Sequence, residues 1–63
     1  MYEPNQQLIN SADFDNVMYF GRSVMVMQDD EVLEVGRITS NSTYTVGIGD
    51  GYYLKDNCIF LIC

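Results

Sequence analysis

The segment TYTVGIGDGYYLK (residues 43–55) decides the fold class of this chain. Its apolar side chains alternate with small or polar ones, and this period of two predicts a strand with one buried face. The apolar positions are Tyr44, Val46 and Ile48. Asp50-Gly51 is a strong signal for a two-residue hairpin turn, so YYLK (52–55) is predicted as the return strand. The glycines precede a strand rather than a helix, which favours a hairpin over a phosphate-binding loop.

The chain on either side continues the strand pattern. Further strands are predicted at SVMVMQ (23–28), EVLEVGRITS (31–40) and CIFLIC (58–63), with short turns between them. Leu33 and Val35 share one face and Ile38 is out of phase with them, so a bulge is expected at Gly36-Arg37. CIFLIC is apolar at every position, which predicts that both of its faces are covered.

The N-terminal third has a different pattern. Residues 11–22 (SADFDNVMYFGR) predict a short helix or a single turn, with Ser11 as its N-cap and Gly21 as its end. The packing face of this helix is formed by Phe14, Val17 and Met18. The alternative pairs VMYF with SVMVM in a hairpin across Gly21-Arg22. Residues 1–10 are polar and are expected to be extended or flexible.

Size and charge limit the classes of function. The 63 residues predict a single small β-barrel domain, 1–63, of marginal stability. Nine acidic residues face three basic ones, there is no histidine, and the net charge is −6. This charge opposes direct binding to nucleic acid and to acidic membranes. No apolar run approaches the ~20 residues of a membrane span. We therefore expect a soluble, cytoplasmic protein.

Three segments resemble SH3-like small β-barrels, including the KOW-type domains. GRSVMV (21–26) is similar to their G-x-x-V-x-V opening, EVGRI (34–38) to their second strand, and YYLKDNCIFLI (52–62) to their ending. The resemblance covers residues 21–62 and implies an all-β, SH3-like barrel of five strands, here with a short N-terminal helix or turn. A five-stranded OB-like fold or an open sandwich is the alternative.

The resemblance implies binding rather than one defined activity, because SH3-like barrels bind peptides, nucleic acids and large assemblies. This chain has neither the tryptophan of the peptide-binding subtype nor the basic surface of the nucleic-acid-binding subtype. It also lacks histidine, so no Ser-His or Cys-His catalytic pair is available. Two cysteines without histidine do not make a zinc site. We expect no enzymatic activity, no cofactor and no metal.

Two hypotheses on function come from different residues. The first is a protein-binding adaptor or inhibitor whose apolar patch consists of Met25, Met27, Tyr52 and Tyr53. The second is an acidic mimic of nucleic acid that blocks a basic groove through Asp29, Asp30, Glu31 and Glu34. A homodimer through the apolar patch is a further alternative. Brevity, acidity and the lack of catalytic chemistry fit a protein of a phage or another mobile element.

Overall fold

One helix and five strands follow one another along residues 2–63, the part of the chain that the computed structural model describes. They are α1 (Ser11–Phe20), β1 (Ser23–Gln28), β2 (Glu31–Asn41), β3 (Thr45–Ile48), β4 (Gly51–Leu54) and β5 (Ile59–Ile62). The strands form one antiparallel sheet in the order β4-β3-β2-β1-β5. The predicted fold class, an all-β, SH3-like small barrel of five strands with a short N-terminal helix, is confirmed.

The long strand β2 belongs to both halves of the sheet. Residues 31–37 pair with β1, and residues 38–41 pair with β3. The register shifts once in each half, which leaves Leu33 and Thr39 without a partner residue. Because a bulge bends its strand and increases the twist, β2 curves around the core. The β1–β5 half and the β3–β4 half therefore enclose one set of buried side chains.

The side chains of β2 alternate between the two faces of the strand differently from the prediction. The prediction of a bulge at Gly36-Arg37 is wrong, and the first register shift lies at Leu33 instead. Each extra residue moves all following side chains to the opposite face of the strand. Val35 is therefore turned outward and is 50% exposed, whereas Ile38 is buried in the core.

The β3–β4 hairpin turns one residue earlier than predicted. Ile48 pairs with Gly51, so the turn consists of Gly49 and Asp50. Gly49 has a φ of +58°, which glycine adopts without a steric penalty. Tyr44 was expected on the buried face, but it precedes β3 and is 71% exposed.

Both ends of α1 are capped by side chain or backbone groups. The N-cap is Asn10 rather than the predicted Ser11, and Asn10 Oδ1 accepts a hydrogen bond from the backbone N–H of Asp13 at 3.0 Å. The Asp13 carboxylate in turn accepts from the backbone N–H of Asn10, which completes a capping box. Gly21 ends the helix with a φ of +69°, as predicted. The alternative hairpin over these residues is wrong.

The core joins the helix to both halves of the sheet. Phe14 and Val17 of α1 are buried, and Met18 packs against the core, as the helical spacing predicts. The Phe14 ring meets the Phe60 ring edge to face, with centroids 5.2 Å apart. The buried apolar residues are Leu8, Phe14, Val17, Val24, Val26, Ile38, Val46, Ile48, Phe60 and Ile62.

The segment before the helix runs along the free edge of β5. The backbone N–H of Asn5 donates to the carbonyl oxygen of Ile62 at 2.7 Å, and that of Leu8 donates to Phe60 at 2.9 Å. Leu8 is only 3% exposed and fills the core beside the strand. The extended conformation expected within residues 1–10 is thus found at residues 6–8, whereas Asn5 lies in a turn with a φ of +67°, and Met1 lies outside the described residues.

Candidate protein-interaction surface

The outward side of the β1–β5 half is apolar across three adjacent strands. Met25 and Met27 point outward from β1, and each pairs with one apolar residue of β2 and one of β5. Directly paired side chains share one face of a sheet, with Cβ atoms about 4.5–5.5 Å apart, so these residues form a continuous patch. We call the six residues the outer face: Met25, Met27, Val32, Val35, Ile59 and Leu61.

The outer face is open to solvent although the inward residues of the same strands are buried. Val32 is 52% exposed, Val35 is 50% exposed and Ile59 is 47% exposed. The two methionines and the leucine of this surface are half-buried. Single exposed apolar residues are ordinary, but a continuous apolar patch is typical of an interaction site.

The rest of the chain covers only the inward side of β5, which leaves its outer side exposed. Only Phe60 and Ile62 point into the core, where they are 2% and 1% exposed. The helix packs on that inward side, and the segment at residues 5–8 pairs with the edge of β5 rather than lying over its outer face. The prediction that both faces of CIFLIC are covered is therefore wrong for Ile59.

An acidic turn lies at one end of the outer face. Asp29 and Asp30 connect β1 to β2 with φ values of +51° and +65°, and Glu31 follows them, exposed. Aspartate is among the few non-glycine residues that tolerate this conformation. Glu34 is half-buried, and its Oε2 lies 3.8 Å from the position that a Cβ on Gly49 would take. Three residues of the predicted acidic patch thus stay together, while Glu34 belongs to another part of the barrel.

A groove lies where the acidic turn meets the outer face. Its volume is about 410 Å³, and its apolar lining includes Met27, Ile59 and Leu61. The same groove is lined by Asp29 and Asp30. Apolar surface and negative charge are therefore presented side by side.

The basic side chains of the protein lie away from the acidic turn, and two of the three donate hydrogen bonds there. The Arg22 guanidinium donates to two backbone carbonyl oxygens near the chain ends, at 3.0 and 3.3 Å. The Lys55 ammonium donates to the carbonyl oxygen of Ser42 at 2.6 Å and lies 4.8 Å from the centroid of the Phe14 ring. Arg37 pairs with the first residue of β1, at the far end of the hairpin from the acidic turn. The charge of the turn is thus left for solvent or a partner.

The four residues predicted to bind a partner do not form one patch. Met25 and Met27 belong to the outer face, whereas Tyr52 and Tyr53 lie on β4 at the opposite end of the strand order. Tyr53 is half-buried and packs against the core. Tyr52 is 76% exposed and lies over Gly47. Strands β2 and β3 lie between β1 and β4 and separate the two pairs.

The thiols and the acidic side chains are the remaining groups with chemistry of their own. Both cysteines are free, Cys58 half-buried and Cys63 exposed. Burial raises the pKa of the Cys58 thiol, because the thiolate loses solvation. Within residues 2–63, no three His, Cys, Asp or Glu side chains are grouped so that they could hold a metal ion. No helix in that range is long and apolar enough to cross a membrane.

Sequence reasoning misses four of the six residues of the outer face. They are Val32, Val35, Ile59 and Leu61. A signal was present at β5, since a strand with apolar residues at every position has more apolar surface than one core can bury. No feature of the sequence indicated that the Val35 side chain points outward, because the direction of this side chain depends on the register shift at Leu33.

Comparisons with known proteins give no functional information for this chain. No protein family, curated protein or solved structure matches it significantly.

Proposed function

We propose that this chain is a small acidic interaction protein without enzymatic activity, an adaptor or inhibitor that binds a protein partner through the outer face. The observation that supports this is the continuous exposed apolar patch on β1, β2 and β5. Two of its residues, Met25 and Met27, have flexible and polarisable side chains that adapt to a partner's surface. The free thiols support the reducing cytoplasm as its compartment.

Burial of the outer face supplies the driving force for this binding. Removing apolar surface from water contributes about 25 cal/mol for each Å². Three of the six residues expose about half of their surface, so a partner finds this area without unfolding any part of the barrel. The pairing of β1 with both neighbours holds the patch rigid, which lowers the entropy lost on binding.

The test is capture of a partner by the tagged full-length chain from the native host, with identification by mass spectrometry. The variant Val35→Ser/Ile59→Ser makes two exposed positions of the outer face polar without touching the core. We expect this variant to lose the partner that the wild type retains. Its far-UV circular dichroism and melting temperature show whether the barrel is intact.

The matched control is Tyr44→Ser/Tyr52→Ser, which removes two apolar side chains that are 71% and 76% exposed outside the outer face. We expect this control to keep the partner. Retention of the partner by the outer-face variant, or its loss in the tyrosine control alone, would contradict the proposal.

The acidic mimic is the second candidate, and the clustering of Asp29, Asp30 and Glu31 at one exposed turn is the observation that favours it. Binding by a mimic weakens steeply as salt rises, because it depends on charge. Binding that depends mainly on the apolar outer face weakens much less over the same range. Repeating the capture at about 50 mM and about 500 mM salt separates the two hypotheses, since the Debye length falls well below 10 Å at the higher concentration.

A further inference from the structure

We propose that the groove between the acidic turn and β5 binds a basic side chain, arginine or lysine, from an amphipathic segment of the protein partner. This inference rests on the proposed function and specifies the chemistry of the partner.

The lining of the groove matches the two parts of such a side chain. Arginine and lysine combine an aliphatic stem with a charged end, and they bury the stem while the charge stays near water or an anion. Met27, Ile59 and Leu61 supply the apolar contact for the stem. Asp29 and Asp30 line the same groove and supply the anions for the charged end.

The charge of the groove is available to a ligand. Each of the basic side chains of the protein is held away from this turn: Arg22 and Lys55 by backbone carbonyl oxygens, and Arg37 by its place at the far end of the β1–β2 hairpin. The two aspartates occupy adjacent positions of one turn and line the same groove, so both carboxylates attract a cationic ligand.

The groove has room for a long side chain together with part of the segment that carries it. Its volume is about 410 Å³, and it is open to solvent. The rest of an amphipathic segment would lie on the adjoining outer face, where Met25 and Val35 continue the apolar surface.

A second copy of this chain is a poorer occupant. Each copy carries a net charge of −6, so two copies repel each other over any shared interface. Two of the three basic residues of a second copy, Arg22 and Lys55, already donate hydrogen bonds to backbone carbonyl oxygens within it.

The test uses three eight-residue peptides and the full chain at about 20 mM salt. The probes are (Arg-Leu)4, with cations and apolar side chains, (Glu-Leu)4, with the charge reversed, and (Arg-Ser)4, with the apolar side chains removed. Binding is measured by fluorescence anisotropy, and its location by amide chemical-shift changes. We expect (Arg-Leu)4 to bind at least tenfold more tightly than either other peptide, with the largest shifts at Met27, Asp29, Asp30, Ile59 and Leu61.

Variants that neutralise aspartates test whether the acidic turn contributes to peptide binding. Asp29→Asn/Asp30→Asn keeps side chains that tolerate positive φ, and it should weaken (Arg-Leu)4 binding about 3- to 10-fold, as expected for exposed ion pairs. The control Asp15→Asn/Asp50→Asn removes the same charge elsewhere and retains the acceptor oxygen that Asp15 offers to Asn41. This control should change the affinity less than twofold.

Several outcomes would overturn the inference: no measurable binding of (Arg-Leu)4, equal binding of (Glu-Leu)4, equal weakening by both aspartate pairs, or shifts outside the groove. A concentration-dependent dimer that Val35→Ser/Ile59→Ser abolishes would also overturn it, because the occupant would then be a second copy. Any of the peptide failures, combined with partner capture that depends on the outer face, leaves the proposed function standing. If the peptide test fails and partner capture does not depend on the outer face, then the surface binds neither a basic segment nor a protein partner.

Discussion

Replacement of Gly47 by alanine tests the packing of the glycine-rich segment directly. Gly47 is buried in β3 opposite Ser40 of β2. A Cβ at this position would lie 2.9 Å from Thr39 Oγ1 and 3.3 Å from Tyr52 Cε1, and closer still to Ser40 Oγ. The glycine is therefore required by the close approach of neighbouring side chains, and no ligand is needed to explain it.

Two opposing effects determine how much Gly47→Ala changes the free energy of unfolding. Overpacking typically costs about 1–3 kcal/mol, while an alanine lowers the entropy of the unfolded chain and returns about 0.4–1 kcal/mol. The steric cost is larger because the clash involves side chains from two strands. We expect Gly47→Ala to lower the free energy of unfolding by about 1–2 kcal/mol. At about 4–8 °C for each kcal/mol in a domain of this size, the melting temperature falls by about 5–15 °C.

A double-mutant cycle identifies the cause. Ser40→Ala removes the nearest obstructing oxygen and should alone change stability by less than about 0.5 kcal/mol. In the Gly47→Ala background it should restore about half of the loss, a coupling of about 0.5–1 kcal/mol. The assay is urea unfolding followed by far-UV circular dichroism. Strictly additive effects, or a Gly47→Ala protein that melts within about 2 °C of the wild type, would refute the steric argument.

Three further predictions concern the helix, the core and the thiols. Asn10→Ala should destabilise the protein by about 1 kcal/mol, while Asn10→Ser should largely retain the cap, as compared by thermal melting. Phe60→Ala should cost about 3–5 kcal/mol in urea unfolding, a large share of the ~3–9 kcal/mol total for a chain of this length. A thiol reagent should modify Cys63 before Cys58, and the Cys58 rate should keep rising to higher pH, because burial raises the pKa of that thiol. Equal rates and equal pH profiles would count against the last prediction.

Part of the candidate surface was predictable from the sequence. The alternation in SVMVMQ places Met25 and Met27 on one face and Val24 and Val26 on the other, whatever the rest of the fold does. The acidic turn was also predictable, since QDDE separates two strand-like runs. The sequence did not show that Tyr52 and Tyr53 lie apart from the methionines, because the order of the strands, with β2 and β3 between β4 and β1, depends on the tertiary structure.

The sequence by itself determined the number of strands and, in strands without a register shift, which residues share a strand face, because these depend on local periodicity and on turn chemistry. At residues 11–22 it favoured a short helix and left a hairpin as the alternative. It did not determine which face of each strand is buried or which strands' outward faces join. One unpaired residue at Leu33 reverses the direction of the side chains that follow it, and this register shift brings Val35 out beside Met25. Only the pairing of β1 with both β2 and β5 joins six separate apolar residues into one surface next to Asp29 and Asp30. Such pairing is a property of contacts between distant parts of the chain, and no local pattern specifies it.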